Sequence, residues 1–346
     1  MKNAPLLILL TLVLCFSIGC PWYESYDFPD GHFPESTVNF SEVNTEYNDY
    51  NITAPEINSE RLFHFSSDRN TQGADFDIVG EGITLTWNKN RGEFQCVSSS
   101  CMPSGLMSEI LGTVNTSSDE LGPYSMFYMS PGDKSSFIMF FARKTDGHLD
   151  NFLINAVSDD NGLWEIDTAK RCNAINSPAD DGYVSLDGEG MMEHAGAYSD
   201  LLSGTRKVFF CSDRSGNFDI YEIAIPRHSD PTEYLCRDTS GLEIRNNVLS
   251  SGANDKCPYI KGDVIVFTSD REGGLGGFDL YYSIRTDDAW SEPVNFGEKI
   301  NTGYDEYRPV LITDDEFDND VIFFSSNRPG GKGGFDIYYR GITSFD

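Results

Sequence analysis

The chain has 346 residues, with 55 acidic against 25 basic side chains and a formal net charge of −30. So acidic a surface excludes nucleic acid as a partner, which requires a basic face, and excludes electrostatic docking on an anionic membrane. Hydrophobic residues make up 39%, enough for a core and too many for a disordered acidic chain, and the length allows one large β domain or two ordinary ones.

Residues 1–20 read MKNAPLLILLTLVLCFSIGC. Lys2 is followed by an apolar run from Leu6 to Phe16, too short to span a bilayer as a helix and closed by small residues, as in an export signal. Ser17-Ile18-Gly19-Cys20 resembles the lipobox of bacterial lipoproteins. That resemblance implies a signal peptide over 1–19, acylation of Cys20, and a cell-envelope address, at the outer membrane, held by lipid alone. An ordinary signal peptide containing Cys20 is the alternative. Residues 20–32 are read as the lipidated cysteine and a tether whose aromatics can pack on the domain.

One unit then recurs five times, in chain order RLFHFSSDRNTQGADFDIV (61–79), SFIMFFARKTDGHLDNFLI (136–154), KVFFCSDRSGNFDIYEI (207–223), VIVFTSDREGGLGGFDLYYS (264–283) and VIFFSSNRPGGKGGFDIYYR (321–340). The second copy is degenerate, keeping Arg143 and Phe152. A second motif leads into each unit: VNTEYNDYNITAPEI (43–57), VNTSSDELGPYS (114–125), INSPADDGYVSL (175–186), GANDKCPYI (252–260) and INTGYDEYRPVL (300–311). Each unit therefore reads as a polar lead-in loop, a short strand, an apolar strand, an Asp-Arg-Gly hairpin loop and a Phe-Asp-Ile-Tyr strand. Trp290–Phe296 and Leu163–Ile166 supply a fourth strand. The last unit lacks one, whereas Phe33–Phe40 near the N-terminus matches Trp290–Phe296 through Val38-Asn39-Phe40. The N-terminal strand is expected to complete the last sheet and leave no open edge.

This is the pattern of an all-β propeller of four-stranded antiparallel blades over residues 33–346. The Ser-Asp-Arg…Gly-Gly-Phe-Asp-Ile-Tyr units resemble the WD-type repeats of TolB-like propellers in envelope proteins of Bacteroidetes-type bacteria, which implies an interaction module. Five blades are expected, aligned at Pro55, Pro123, Val184, Pro258 and Pro309; a sixth within residues 80–120 is the alternative.

Catalytic signatures are scarce. The Gly-rich loops 273–277 and 330–334 precede strands rather than helices, so they read as hairpin turns and not phosphate cradles. The histidines at 32, 64, 148, 194 and 228 lack metal-ligand spacing. Of six cysteines beyond the signal and Cys20, Cys96 and Cys101 enclose a loop short enough to bridge; free buried thiols are the alternative. The lead-in loops carry Asp49, Asp119, Glu120, Asp180, Asp181, Asp255, Asp305 and Glu306. The hairpin loops carry Arg69, Arg143, Arg214, Arg271 and Arg328. Both loop sets are expected on one face, as a repeated structural ion pair or as a carboxylate ring that binds Ca²⁺ or a basic partner. Asp219, Asp279 and Asp336 are expected to orient turns.

Two functional classes follow. The preferred one is a non-enzymatic, envelope-anchored module that binds a protein partner or other ligand. The other is a carbohydrate-active enzyme or glycan-binding propeller using central carboxylates, since glycoside hydrolysis needs two carboxylates in different roles.

Overall fold

The computed structural model describes residues 26–53, 56–57, 60–99, 104–130, 134–188, 205–226, 229–238 and 241–345. Cys20, the signal segment, Pro55 and Cys101 lie outside the described residues, and with them the proposed Cys96–Cys101 bridge.

Five antiparallel blades form a ring. The first contains Asp49–Thr53, Glu60–Ser67, Asp77–Asn88 and Glu93–Ser99; the second Glu120–Ser130, Lys134–Thr145, His148–Ser158 and Trp164–Ile166. The third contains Asp181–Gly188, Thr205–Ser212, Asp219–Ala224 and Ile244–Arg245. The fourth has Asp255–Lys261, Val264–Ser269 and Asp279–Thr286, its outer edge split into Ala289–Trp290 and Val294–Asn295. The fifth has Glu306–Ile312, Asp320–Ser326 and Asp336–Ile342, completed by Val38–Asn39 from the N-terminus, with Val38 opposite Tyr339 and Asn39 opposite Tyr338. The strand expected to close the ring does so.

Among the described residues, 80–120 hold no sixth blade. They form the long third and fourth strands of the first blade and the helix Ser104–Val114, whose Met107, Ile110 and Val114 are buried against the second blade's Phe137 and Met139. The alignment of the first blade also shifts. Asp49 is equivalent to Glu120, so Ile52, not Pro55, stands where Pro123 stands.

The core lies between blades. Period-two alternation sends successive residues of each second strand to opposite faces. Phe210 therefore packs toward the second blade with Ile138 and Phe140, and Phe209 toward the fourth with Ile265 and Phe267. The same holds at the closure, where Phe40, Phe323 and Ile337 meet Phe63 and Phe65. Each such Phe, 0–1% exposed, contributes about 1.5–3 kcal/mol of burial. Residues before the closing strand are also tied down: Gly31 bridges to Phe317, and the Trp87 indole donates to the Phe28 carbonyl at 3.1 Å.

Candidate active site at the channel mouth

The repeated acids and arginines meet as five pairs. The contacts are Arg69–Asp49 at 2.5 Å, Arg143–Glu120 at 2.8 Å, Arg214–Asp181 at 2.6 Å, Arg271–Asp255 at 2.6 Å and Arg328–Glu306 at 2.9 Å. All five carboxylates are 0% exposed. Each also accepts from the backbone N–H and hydroxyl of a Thr or Ser four residues earlier: Thr45, Thr116, Ser177, Ser251 and Thr302. Each arginine spends Nη2 on a lead-in carbonyl, of Val43, Val114, Ile175, Leu249 or Ile300. Its guanidinium lies about 5 Å from the ring of Phe65, Phe141, Phe210, Phe267 or Phe324. Burial raises the carboxyls of Glu120 and Glu306 above the ordinary range, opposed by their Thr partners and by Arg143 and Arg328. These oxygens are consumed inside the protein, so the ring does not offer the six to eight ligands that Ca²⁺ takes. Among the described residues no group of three or more His, Cys, Asp or Glu is placed to hold a metal.

The residue before each buried acid has another task. Asn48, Asp119, Asp180, Asn254 and Asp305 each accept, through Oδ1, the N–H of the preceding blade's Phe-Asp motif, at Phe335, Phe76, Leu149, Phe218 and Phe278. The second side-chain atom divides them. Asn48 donates Nδ2 to Asp68, Asn254 to Asp270, and Asp305 accepts from Asn327 Nδ2. In the second and third blades this exchange is missing: the residue facing Asp180 is Asp213, which accepts the Asp180 N–H, and Lys144 donates only its backbone N–H to the Asp119 carbonyl. Among the described residues, no group engages Oδ2 of Asp119 or Asp180, which lie in adjacent blades. Asp279 accepts from Leu275 and Gly276 N–H and Asp336 from Lys332 and Gly333, so both hold their turns, whereas Asp219 accepts from the Ser215 hydroxyl and from Arg245.

Around these carboxylates the mouth is aromatic. Half-buried Tyr50 sits between Phe76 at 4.9 Å and Phe335 at 5.7 Å, and Tyr307 lies 5.3 Å from Phe278. Lys256 places its ammonium 3.9 Å from the Phe218 ring and 5.5 Å from Phe278. Asp119 adjoins this aromatic group through Phe76, whose N–H it accepts and whose ring packs on Tyr50; burial first, then the Asp119 carboxylate, pushes the Tyr50 phenol up.

One residue deeper, every first strand bulges. Asn51, Gly122, Tyr183, Cys257 and Arg308 all have φ between 48° and 62°, each at a break in register. In three of them the N–H turns to the preceding blade: Asn51 donates to Ser325 Oγ, Gly122 to Ser66 Oγ and Arg308 to Thr268 Oγ1. Positive φ is strained for side chains as large as Tyr and Arg. Gly122 has a second constraint, because a Cβ there would lie 2.3 Å from the Tyr183 ring. The floor is closed by Arg308, 0% exposed, which crosses the axis to donate Nη2 to the Pro123 carbonyl while Nε and Nη1 meet no acceptor in the protein.

The sequence pattern exposes the ion pairs but not Tyr50, Lys256, Tyr307 or Arg308. Their signal is a pair of variable columns inside a constant frame: Tyr50, Leu121, Gly182, Lys256 and Tyr307 directly follow the buried acids, and the bulged residues come next.

No family model matches this chain, and no curated protein matches it. Among solved structures, a glycoside hydrolase is similar with a TM-score of 0.49 and 11% identity, over 94% of this chain and 95% of that one. The α-L-arabinofuranosidase PaAbf62A from Podospora anserina gives 0.44 and 10%, over 91% and 97%. The catalytic domain of the Coprinopsis cinerea GH62 α-L-arabinofuranosidase gives 0.43 and 9%, over 92% and 100%. At such identity the likeness concerns fold alone. The expectation of a non-enzymatic module, drawn from the resemblance to TolB-like interaction propellers, is corrected here: the solved chains named are glycoside hydrolases. The five-bladed β-propeller itself is read from the chain's own strand order.

Proposed function

We propose that the propeller is a carbohydrate-active enzyme, binding a glycan at the aromatic mouth and hydrolysing a glycosidic bond with Asp119 and Asp180. The observation that carries this reading is the uncommitted Oδ2 on these two carboxylates, in adjacent blades, where the equivalent side chains of the other three blades are tied by an amide. Glycoside hydrolysis requires one carboxyl to protonate the leaving oxygen and another to attack or to activate water. The half-buried rings of Tyr50, Phe76, Phe278, Tyr307 and Phe335 offer flat apolar faces for the C–H faces of sugar rings, with polar groups beside them for hydroxyls. Asp119 and Asp180 are held in place by their Oδ1 bonds to the Phe76 and Leu149 N–H groups. We further propose that Cys20 anchors the enzyme to the cell envelope, on the strength of Ser17–Cys20; a Cys20→Ser variant is expected in the soluble fraction.

The test is reducing-end release from a polysaccharide panel, with binding followed separately by calorimetry. Asp119→Asn and Asp180→Asn are each expected to lower turnover by about 10²–10⁴-fold while binding persists, and Tyr50→Ala to weaken binding. Binding without turnover by the wild type would refute hydrolysis; turnover unchanged in both Asn variants would refute the assigned pair.

A further inference from the structure

Where the outer edge of the second blade meets the third, two cysteines distant in sequence face one another. Cys172 follows the edge strand Lys170–Arg171 of the second blade and is fully buried. Cys236 ends the helix Pro231–Cys236, which Asp230 caps and which follows the third strand of the third blade. The backbones beside them are joined: Ala174 N–H donates to the Leu235 carbonyl at 3.0 Å, and Asn173 Nδ2 to the Cys236 carbonyl at 3.3 Å. Both side chains pack on the core between these two blades, close enough for each thiol to act on the other's titration. Cys236 alone reaches the surface, where it lines a cavity of about 270 Å³ with Asp167, Lys170, Thr232, Glu233 and Arg237.

We propose that Cys172 and Cys236 are a disulfide-forming pair that staples the helix to the edge of the second blade. Cys236 is the group an oxidant can reach. Hydrogen bonding from Cys172, with the Lys170 ammonium nearby, favours its thiolate, the species that attacks. The oxidant is a disulfide, of a small thiol or of a thiol oxidoreductase. Cys236 Sγ attacks one of its sulfurs, breaking that S–S bond and expelling one thiol in a mixed disulfide. Cys172 Sγ, losing its proton to the departing thiolate, then attacks Cys236 Sγ and expels the second thiol. Two electrons pass from the pair to the oxidant and one S–S bond replaces another. Cys211 and Cys257 are also neighbours, the Cys257 N–H donating to Cys211 sulfur, but both are 0% exposed beside the axis, so an external disulfide has no approach to either.

The full-length folded protein is equilibrated in buffers of stepped reduced-to-oxidised glutathione ratio, alkylated under denaturing conditions and peptide-mapped. The expected product joins the peptides of Cys172 and Cys236, and its formation raises the melting temperature by about 5 °C, as closure of a long loop predicts. Cys236→Ser, at the half-buried partner, is expected to fold and to lose that redox-dependent rise. Full alkylation of both thiols under excess oxidised glutathione would overturn the proposal, as would a stable glutathione adduct on Cys236 with Cys172 still free.

Discussion

The guanidinium of Arg308 lies 5.5 Å from the centre of the Tyr183 ring, on the opposite side of the axis from its own strand. Its Nη2 reaches the Pro123 carbonyl, so one side chain from the fifth blade touches the second and third. Every hairpin arginine of the ring has a carboxylate; Arg308, on a first strand and more deeply buried than any of them, has a π face and a carbonyl. Leaving a cation in that state costs stability, because its desolvation is not offset by an anion. Arg308→Met keeps the length and volume and removes the charge. It is expected to raise unfolding free energy by about 1–4 kcal/mol, read from the denaturant midpoint, while lowering activity at the mouth above it. A destabilised variant would show that the guanidinium is satisfied where it lies.

Asp213 marks where the third blade departs from the fifth. Asn327 there donates Nδ2 to Asp305 and accepts the Asp305 N–H. Asp213 repeats the second contact with Asp180 and cannot make the first. Asp213→Asn supplies the missing donor and should stabilise the fold by about 0.5–1.5 kcal/mol. The same bond would commit the free oxygen of Asp180, so turnover should fall although no proposed catalytic residue has changed. Higher stability with unchanged turnover would remove Asp180 from the catalytic pair.

The blades, their number and the N-terminal closure are legible because each rests on side chains that recur. Asp-Arg and Phe-Asp-Ile-Tyr are needed in every copy, since every copy builds the same ion pair and turn. The second blade shows the limit: Leu149 stands where the other blades carry Phe, and Phe152 is the ring beneath Arg143, not the motif's first aromatic. The axial bulge is different in kind. It is a backbone conformation, satisfied in the first, second and fifth blades by N–H donation to a hydroxyl of the preceding blade, and it accepts Asn, Gly, Tyr, Cys and Arg at equivalent positions. Nothing in residue type announces it. The Cys172–Cys236 contact was hidden for another reason, since it joins segments of two blades outside the repeated frame.

His64 gives the fold an acid limit. It is 0% exposed in the second strand of the first blade, and Nδ1 meets Ser125 Oγ of the second blade at 2.8 Å while Nε2 has no partner. Burial lowers its pKa from 6.5 to about 3. A folded-state pKa below the unfolded value means that the unfolded chain binds the proton first. Stability is therefore full above pH 6.5 and declines as pH falls toward 3, by about 2 kcal/mol at pH 5. His64→Gln should flatten this part of the stability profile. An identical slope between pH 6.5 and 5 in wild type and variant would assign the acid sensitivity elsewhere.

Closure of the ring rests on Phe40, whose ring centre lies 5.7 Å from Tyr339 and 6.0 Å from both Phe63 and Phe323. It thus bridges the last blade and the first. Phe40→Ala should cost about 3–5 kcal/mol. Because the closing strand joins the two ends of the chain, the loss should appear as one cooperative transition at lower denaturant, followed by circular dichroism. A separate early transition limited to the fifth blade would show that the ring tolerates an open seam.

The Arg328–Glu306 pair separates a structural ring from an ornamental one. Glu306 is 0% exposed and accepts from Thr302, Ser326 and Arg328 together. Removing the guanidinium strands a buried carboxylate, so Arg328→Ala should cost about 3–5 kcal/mol. The exposed Lys170–Asp167 pair is the control, its two side chains 50% and 49% exposed; Lys170→Ala should cost less than about 1 kcal/mol. Glu306→Gln gives the complementary reading. Burial already raises the Glu306 carboxyl against the pull of Thr302 and Arg328, so a neutral amide that keeps the acceptor for Thr302 Oγ1, Ser326 and Arg328 and loses only that for the Thr302 N–H should cost less than the loss of Arg328. If Glu306→Gln proves the more damaging change, the attraction between the charges outweighs their desolvation. The ring would then depend on salt as well as on its hydrogen bonds, which a titration of melting temperature with NaCl would reveal.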